Sequence, residues 1–380
     1  MGLLYKARTA SLEERWTQIR FEEANGPEKM EMRETFLPPE WFPQSGAQLT
    51  WPHAGTDWKE MLSEVTDCYV RMAYEIASRE PLLVVTPERG HVEKMLKEKL
   101  PSAVFRQIRW ADCPTDDTWA RDHGFISLMD EKGARLLDFC FNGWGQKFPA
   151  GQDNRINRHL VEQHVVEGTY TDCLDFVLEG GAIESDGQGT ILTTSGCLLA
   201  PKRNEGMNRA DIEEHLKRTL HAQRILWLDH GHLEGDDTDG HIDTLARFCP
   251  GQTIAYVKCT DQNDSHYEDL SLMEEQLHTF RTLQDEPYQL VPLPMPDAIY
   301  DENGQRLPAT YANFFIVNSA VLMPTYNQPV NDENAKKALQ KAFPQHEVVG
   351  IDCRALIRQH GSLHCCTMQF PVSVLKPIQE

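Results

Sequence analysis

The sequence has no long apolar run, and its basic residues are well outnumbered by its acidic ones. Of 380 residues, 37 are Lys or Arg and 58 are Asp or Glu, which gives a formal net charge of −21 at pH 7. Nucleic acid is therefore not expected as a main partner, because phosphate binding requires clustered basic side chains. Without an apolar stretch of about 20 residues, a membrane span is not expected either.

The opening of the chain also lacks the apolar core of a secretion signal, since the charged residues Glu13, Glu14 and Arg15 fall there. We therefore expect no signal peptide. Lys6 stands where a myristoylation motif needs Ser or Thr. None of the ten cysteines forms a Cys-x-x-Cys pair, which disfavours a zinc-finger site. Together these features predict a cytoplasmic protein with free thiols.

The composition is that of a folded chain, because 40% of the residues are hydrophobic and can fill a core. Residues 1–34 are polar and charged, and they predict a short N-terminal extension. No low-complexity linker divides the remainder of the chain. Residues 35–380 are therefore predicted to form one domain.

Apolar periodicity predicts an α/β protein. One helix is expected to begin near Asp57, because a single face carries Leu62, Val65, Tyr69, Met72 and Ile76. Further helices are expected near 91–99, 208–221, 268–284 and 332–343. Strands are expected at 82–86, 124–129, 135–141, 190–194, 224–228, 253–259, 313–323 and 347–351. This alternation does not distinguish one open sheet from several small sheets around an axis.

Four polar residues, Asp237, Asp239, His241 and Asp243, occupy alternate positions. If the segment is extended, their side chains share one face. That face could hold a metal ion through imidazole and carboxylate ligands. It could equally present a general acid/base histidine beside a carboxylate that binds a cation. A solvated acidic turn is the third interpretation, and the segment alone does not choose among them.

Two further carboxylates lie next to strand-like runs. Glu179 precedes two glycines, which permit a close approach of other groups. Asp122 follows Arg121 in a segment that begins with Trp119. An Arg121–Asp122 ion pair would be purely structural, whereas an Asp122 that faces a pocket would leave Arg121 to pair elsewhere. Either carboxylate alone is weak evidence of a site.

Cys365 is a candidate nucleophile near the C-terminus. Most cysteines of this kind of chain are small buried hydrophobes, so Cys365 alone could equally belong to the core. On a strand, His364 and Cys366 would point away from the face that Cys365 occupies. The proton carrier for a nucleophilic Cys365 would then be His241.

Taken in order, these segments resemble the agmatine deiminase family from Phe36 to Pro371. The matching motifs lie at residues 37–41, 49–53, 119–124, 179–181, 237–243 and 363–365. The chain departs from the family at Phe125, where Pro is frequent, and at 360–362, where Gly-Gly-Asn is frequent. The residues expected to take part in the chemistry match the family, so these departures bear on the contacts to the tail of the substrate.

The resemblance implies a pentein α/β propeller, in which five ββαβ-like units with pseudo-fivefold symmetry surround a central active-site channel. It implies that neither a metal nor a cofactor takes part. The expected partner is a small cationic guanidine, and assembly as a homodimer is also considered.

The resemblance further implies hydrolysis of agmatine to N-carbamoylputrescine and ammonia, a step of putrescine and polyamine biosynthesis, through a covalent S-amidino-cysteine. In the roles that the resemblance implies, Cys365 is the nucleophile, His241 carries the proton and Glu179 orients His241. Asp122 and Asp243 bind the guanidinium, and Trp119 forms an aromatic wall. Arginine and peptidyl-arginine remain alternative substrates. A metal-dependent hydrolase that uses the segment 237–243 remains a less favoured alternative.

Overall fold

The computed structural model describes residues 35–376, and its strands form five separate sheets. The extension predicted for residues 1–34 lies outside the described residues, and the single-domain boundary stays a prediction. In chain order the strands are β1 (Thr35–Phe36), β2 (Gln44–Thr50), β3 (Leu82–Thr86), β4 (Ile108–Asp112), β5 (Ile126–Asp130), β6 (Gly133–Cys140), β7 (Thr169–Val177), β8 (Ile183–Ser185), β9 (Thr190–Thr194), β10 (Arg224–Leu228), β11 (Ala246–Cys249), β12 (Thr253–Lys258), β13 (Gln289–Pro294), β14 (Phe315–Val317), β15 (Ala320–Thr325), β16 (Glu347–Asp352) and β17 (Thr367–Pro371).

Helices connect and flank the strands. The helical segments are α1 (Leu62–Ala77), α2 (Arg89–Lys99), α3 (Ser102–Phe105), α4 (Ala120–His123), α5 (Gly143–Gln146), α6 (Ile156–Glu162), α7 (Ser195–Leu198), α8 (Arg209–Thr219), α9 (Tyr267–Thr279) and α10 (Pro329–Ala342). Of these, α5 is a single left-handed turn with positive φ angles. Short 3₁₀ turns lie at Lys59–Met61, Asp153–Arg155, Gly180–Ala182, Ile242–Thr244 and Leu356–Gln359. Within residues 35–376, no helix combines the length and apolarity that a membrane span requires.

The same ββαβ order recurs in all five sheets. A first strand pairs antiparallel with a second, the chain crosses over through a helix, and a third strand pairs parallel with the second. In one sheet, for example, β8 runs antiparallel to β9, and β9 runs parallel to β10 after α8. The first strands of the five units are β17, β5, β8, β11 and β14. The predicted five-unit α/β propeller is therefore confirmed.

The two ends of the described chain close the ring. β17 pairs antiparallel with β2, with Thr367 opposite Leu49. This pairing places the segment before β17, which contains Cys365, beside β2 near the start of the described chain.

The helix predicted near Asp57 exists, but it begins at Leu62 because a 3₁₀ turn precedes it. Its predicted apolar face is the buried one, with Val65, Tyr69 and Met72 fully enclosed. The single strand expected at 313–323 is wrong, since a turn at 318–319 splits it into β14 and β15. Sequence periodicity also missed β13, in which Pro292 and Pro294 interrupt the apolar pattern.

Candidate active site

Each unit contributes a polar segment immediately before its first strand. In chain order these segments carry Asp122, Glu179, His241 with Asp243, Asn313 and Cys365. All six residues are buried. The five-unit repeat therefore brings together five predicted site residues that lie far apart along the chain, and it adds Asn313, which the sequence interpretation missed.

Gly181 marks the point where three of these side chains meet. A Cβ atom built on Gly181 would lie 2.6 Å from Nδ1 of His241, 2.8 Å from Oδ1 of Asp122 and 3.2 Å from Oδ2 of Asp243. The contacts to His241 and Asp122 are shorter than real Cβ atoms make, so only glycine fits here without displacing the polar groups. The close packing of these polar groups explains why residue 181 is glycine, which the motif alone did not reveal.

The thiol of Cys365 lies at the edge of this cluster. Its Sγ is 3.8 Å from Oδ2 of Asp243 and 3.5 Å from Oδ1 of Asn313. Burial, followed by the negative charges of Asp243 and Asp122, raises the pKa of the Cys365 thiol well above its usual value. The resting thiol is therefore protonated near neutral pH. Cys366 belongs to the same buried apolar cluster as Cys365 and is completely enclosed.

The imidazole of His241 is completely buried, and its Nδ1 lies 3.7 Å from Oδ1 of Asp122. Burial alone would lower the pKa of His241, but Asp122, then Cys197 and less strongly Glu179, raise it well above its usual value. His241 is thus an imidazolium at neutral pH. Glu179 brings a carboxylate oxygen within 4.8 Å of the ring, and its Oε1 accepts a hydrogen bond from Nε of Arg203 at 2.8 Å.

Asp122 is held by groups from two other segments. Its Oδ1 accepts the backbone N–H of Gly181 at 3.0 Å, and its Oδ2 accepts the indole N–H of Trp144 at 2.9 Å. Arg121 does not pair with Asp122 but with Glu40, at 3.4 Å. Burial raises the pKa of Asp122, and the positive charge of His241 opposes that rise.

Trp144 reaches Asp122 from a left-handed turn that the sequence interpretation did not identify. The backbone φ angles are 67° at Gly143, 55° at Trp144, 83° at Gly145 and 66° at Gln146. A left-handed conformation costs about 1–2 kcal/mol for each residue that has a Cβ. The turn aims the indole N–H at a buried carboxylate, and strained backbone of this kind is commonly found at functional sites.

Asp243 is oriented by a residue that we expected to point away. His364 lies in a turn rather than on a strand, and its Nδ1 donates to Oδ2 of Asp243 at 2.7 Å. The expectation that His364 faces away from the site is therefore wrong. Burial raises the pKa of Asp243, but the hydrogen bond and charge of His364 outweigh burial, and the pKa falls below its usual value. Oδ1 of Asp243 has no hydrogen-bond partner within residues 35–376.

The interpretation of residues 237–243 as an extended segment is also wrong. Asp239 and Gly240 have φ angles of 66° and 89°, and a 3₁₀ turn follows at Ile242–Thr244. Asp239 forms ion pairs with Arg203 and Lys147, whereas Asp237 lies half-exposed at the wall of a pocket. The four side chains therefore do not share one face, and the metal site proposed on this segment is not formed.

A different trio, Glu179, Cys197 and His241, brings its potential ligand atoms within 4.8 Å of one another. The guanidinium of Arg203 already occupies one oxygen of Glu179. A metal ion at this place would lie beside a buried positive charge, which makes the trio a poor cation site.

A pocket of about 160 Å³ leads to Cys365. Its wall combines acidic, aromatic and neutral polar groups: Asp57, Asp117, Trp119, Asp122, Trp144, Phe148, Asp237, Thr238, Gln359, His360, Gly361 and Cys365. Trp119, predicted as an aromatic wall, is one of these residues. A Cβ on Gly361 would lie 2.2 Å from the Trp119 ring, so this glycine allows the indole to pack here. Among residues 35–376, no Lys or Arg side chain lines this pocket.

Comparison with known proteins places this chain in a family. The profile of the Porphyromonas-type peptidyl-arginine deiminases matches residues 36–371. A Marinomonas sp. protein, provisionally named an agmatine deiminase, is 32% identical over 88% of this chain and 94% of its own length. A Porphyromonas gingivalis crystal structure, provisionally named an arginine deiminase, is 50% identical with a TM-score of 0.85, over 90% of this chain and all of that one.

The structure of a cysteine-to-serine variant of C. jejuni agmatine deiminase with substrate bound is 36% identical, with a TM-score of 0.81, over 92% of this chain and all of that one. These likenesses and the five-unit propeller define a pentein hydrolase that acts on guanidino groups. The chain belongs to the Porphyromonas-type peptidyl-arginine deiminase family. It is an agmatine deiminase-like enzyme, so the resemblance that the sequence motifs indicated is confirmed.

Proposed function

We propose that this enzyme hydrolyses agmatine to N-carbamoylputrescine and ammonia through an S-amidino intermediate on Cys365. The observation that carries the proposal is the position of the Cys365 thiol, which borders an acidic pocket and lies 3.8 Å from Asp243. A planar guanidinium needs anionic acceptors at its N–H edges and a nucleophile near its carbon.

Asp122 and Asp243 are the proposed guanidinium acceptors. Oδ1 of Asp243 is buried without a partner in the described part of the chain, so a substrate N–H can satisfy it. Asp122 lies across the cluster at Gly181, with both oxygens already oriented by hydrogen bonds. Two fixed carboxylates would hold the substrate carbon in line with the thiol.

Binding of the cation provides the driving force for thiolate formation. A thiol of pKa about 8.5 is only a few per cent ionised at pH 7, and each unit of pKa corresponds to about 1.4 kcal/mol. The attraction between two unit charges at about 4 Å is on the order of 4 kcal/mol near a protein surface. A guanidinium in contact with the sulfur can therefore offset part of the effect of Asp243 and Asp122.

When the guanidinium binds, the Cys365 thiol releases its proton to solvent, because His241 is already protonated. In the first step, the resulting thiolate forms a bond to the guanidinium carbon. His241 then gives a proton to one departing nitrogen, the C–N bond breaks, and ammonia leaves a cationic S-amidino adduct. The raised pKa of His241 suits a proton donor at neutral pH. Glu179 and Asp122 are the proposed groups that keep the ring charged and oriented.

In the second step, neutral His241 takes a proton from water as the oxygen adds to the adduct carbon. The C–S bond then breaks, which returns the thiolate and releases the carbamoyl product. The proton left over is taken up by ammonia, so the sum is guanidinium plus water to a urea plus ammonium.

The wall of the pocket favours agmatine over free arginine. Asp57, Asp117 and Asp237 line it, and among the described residues no Lys or Arg does. The distal ammonium of agmatine would meet carboxylates, whereas the α-carboxylate of arginine would lack a cationic partner.

A deiminase of arginine or peptidyl-arginine is the second candidate, because the P. gingivalis structure at 50% identity is provisionally named an arginine deiminase. The test is ammonia release from agmatine, arginine and an arginine-containing peptide under identical conditions. We expect the highest kcat/KM for agmatine, with an amidino adduct on Cys365 detected by mass spectrometry after rapid acid quenching. Faster release from either alternative would overturn the choice of substrate.

The nucleophile is tested with a matched pair of neighbouring thiols. Cys365→Ser should abolish turnover and the adduct, whereas Cys366→Ser should retain most of the activity because that side chain is completely buried and does not line the pocket. Equal losses of activity in the two variants would contradict the choice of Cys365 as the nucleophile.

The wider setting follows from the proposed reaction. N-carbamoylputrescine would feed polyamine biosynthesis after loss of its carbamoyl group. All ten cysteines are free, which supports a reducing cytoplasm. The homodimer stays a prediction, which light scattering of the purified protein would check.

A further inference from the structure

One motif residue has no task in the proposed chemistry. Glu40 belongs to the 37–41 segment that resembles the family, yet it lies in the core, 7% exposed. Its Oε2 accepts from Nε2 of His364 at 2.6 Å and from Nη2 of Arg247 at 2.8 Å. Its Oε1 accepts the backbone N–H of Ile316 at 2.7 Å. Glu40 is thus a fully engaged buried carboxylate next to the site.

His364 lies between two carboxylates. Its Nδ1 is 2.7 Å from Asp243 and its Nε2 is 2.6 Å from Glu40, and the ring is 1% exposed. Nη2 of Arg247 also lies 3.0 Å from Nε2, but it donates to the same oxygen of Glu40. An ionised carboxylate accepts hydrogen bonds and donates none, so the short contacts to Glu40 and Asp243 require a proton on each ring nitrogen. Burial raises the pKa of Glu40, but His364, Arg247 and Arg121 outweigh it, and the group stays ionised. His364 is therefore an imidazolium.

The backbone fixes this ring beside the thiol. Oδ1 of Asn313 accepts the N–H of His364 at 2.9 Å and lies 3.5 Å from Sγ of Cys365. The oxygen of Asp243 that His364 holds is also the oxygen 3.8 Å from that sulfur. The hydrogen bond from His364 draws the negative charge of this Asp243 oxygen toward the imidazole ring. Less of that charge then faces the sulfur where the thiolate must form.

We propose that Glu40 and His364 form a positioning pair for Asp243, in which Glu40 holds the imidazolium and the imidazolium holds Oδ2. Oδ1 of Asp243 is thereby left to face the guanidinium, and the negative charge beside the nucleophile is partly neutralised. The proposal rests on the proposed function in taking Asp243 as the group that contacts substrate.

Two amide substitutions separate the two halves of this contact. His364→Asn places an amide near the position of Nδ1, which keeps a donor for Asp243 and loses the reach to Glu40. His364→Gln places its amide near Nε2, which keeps Glu40 and loses Asp243. We expect His364→Gln to lower kcat by about 100-fold with little change in KM, since a misplaced group of this kind costs about that factor. His364→Asn should retain clearly more activity than His364→Gln.

A merely structural His364 gives a different result. In that case both variants lose activity in proportion to their loss of thermal stability, with no preference for Asn. Such proportional losses, or a wild-type kcat in His364→Gln, would overturn the proposal.

The charge of the ring is tested on the resting enzyme, so this test does not depend on which guanidine is the substrate. Glu40→Gln is compared with Glu184→Gln, since both carboxylates are buried and bind Arg247 but only Glu40 hydrogen-bonds to His364. Nitrogen-15 NMR, assigned with His364→Asn, should find two protonated ring nitrogens in wild type and Glu184→Gln, and one in Glu40→Gln. A single protonated nitrogen in wild type would overturn the pair even if agmatine is turned over.

Discussion

Sγ of Cys365 lies 3.8 Å from Oδ2 of Asp243. The group expected to attack a substrate therefore has a carboxylate as its neighbour, and burial together with Asp243 and Asp122 raises its pKa well above the usual value. The thiolate that catalysis needs is disfavoured until a cation arrives. An enzyme of this design keeps its nucleophile unreactive between turnovers.

The first prediction concerns the reactivity of this resting thiol. A raised pKa means that the thiolate appears only at a pH above the usual thiol value, so inactivation by iodoacetamide should be slow at pH 7 and still rising at pH 9. The measurement is the inactivation rate against pH, with the alkylated residue identified by peptide mass spectrometry. A plateau of the rate near pH 7 with Cys365 modified would contradict a protonated resting thiol.

The second prediction concerns the space at Gly181. Ala at this position would place a Cβ 2.6 Å from His241 and 2.8 Å from Asp122, so the polar cluster must spread apart. We expect Gly181→Ala to lower kcat by about 100-fold, because small displacements of reacting groups have effects of that size. Gly90→Ala is the matched control, since a Cβ there meets nothing within 4 Å, and its activity should equal that of wild type. Full activity in Gly181→Ala would show that the cluster tolerates displacement.

The third prediction concerns recognition of the distal ammonium. Asp237 lines the pocket with its side chain 42% exposed, so Asp237→Asn should raise the KM for agmatine roughly fivefold and leave kcat nearly unchanged, as expected for a partly exposed ion pair of about 1 kcal/mol. Asp229→Asn is a matched control, because that side chain is also 42% exposed but pairs with Arg209. Steady-state kinetics at two salt concentrations checks both. An unchanged KM in Asp237→Asn would remove this residue from substrate binding.

Short motifs predicted the groups that the five-unit repeat brings together. Asp122, Glu179, His241, Asp243 and Cys365 each lie just before the first strand of a unit, and their order along the chain was visible in the sequence. These residues account for four of the five units, and the remaining unit begins with β14. A site residue is therefore expected in the segment just before β14. Asn313 lies there, and a search for the missing fifth contribution could have found it.

Other parts of the site had no local signal. Glu40 and His364 are 324 residues apart, and they meet because β17 pairs with β2 to close the ring. Trp144 reaches Asp122 from a left-handed turn that residue propensities disfavour. The alternation at 237–243 indicated an extended segment, but Gly240 and the positive φ of Asp239 turn the chain instead. In each case tertiary contacts decide the local conformation.

The fourth prediction concerns the pH dependence of stability. Glu80 is buried, its Oε2 accepts the N–H of Asn318 at 2.9 Å, and its Oε1 has no partner in the described residues. Burial raises the pKa of Glu80 from 4.5 to about 8. The folded state therefore holds this proton more tightly than the unfolded state. The stability that this group contributes is complete below pH 4.5 and is lost as the pH rises toward about 8.

Glu80→Gln removes this titration while keeping the size of the side chain. The difference in unfolding free energy between Glu80→Gln and wild type should therefore shift in favour of the variant as the pH rises from 5 to 8, by at most about 1.4 kcal/mol per pH unit. Urea unfolding at pH 5, 6.5 and 8 measures that difference directly. Because the comparison uses only its change with pH, a constant cost of burying the amide does not affect it. Parallel stability curves for the two proteins would mean that Glu80 is ionised in the fold and balanced by a charge outside the contacts described.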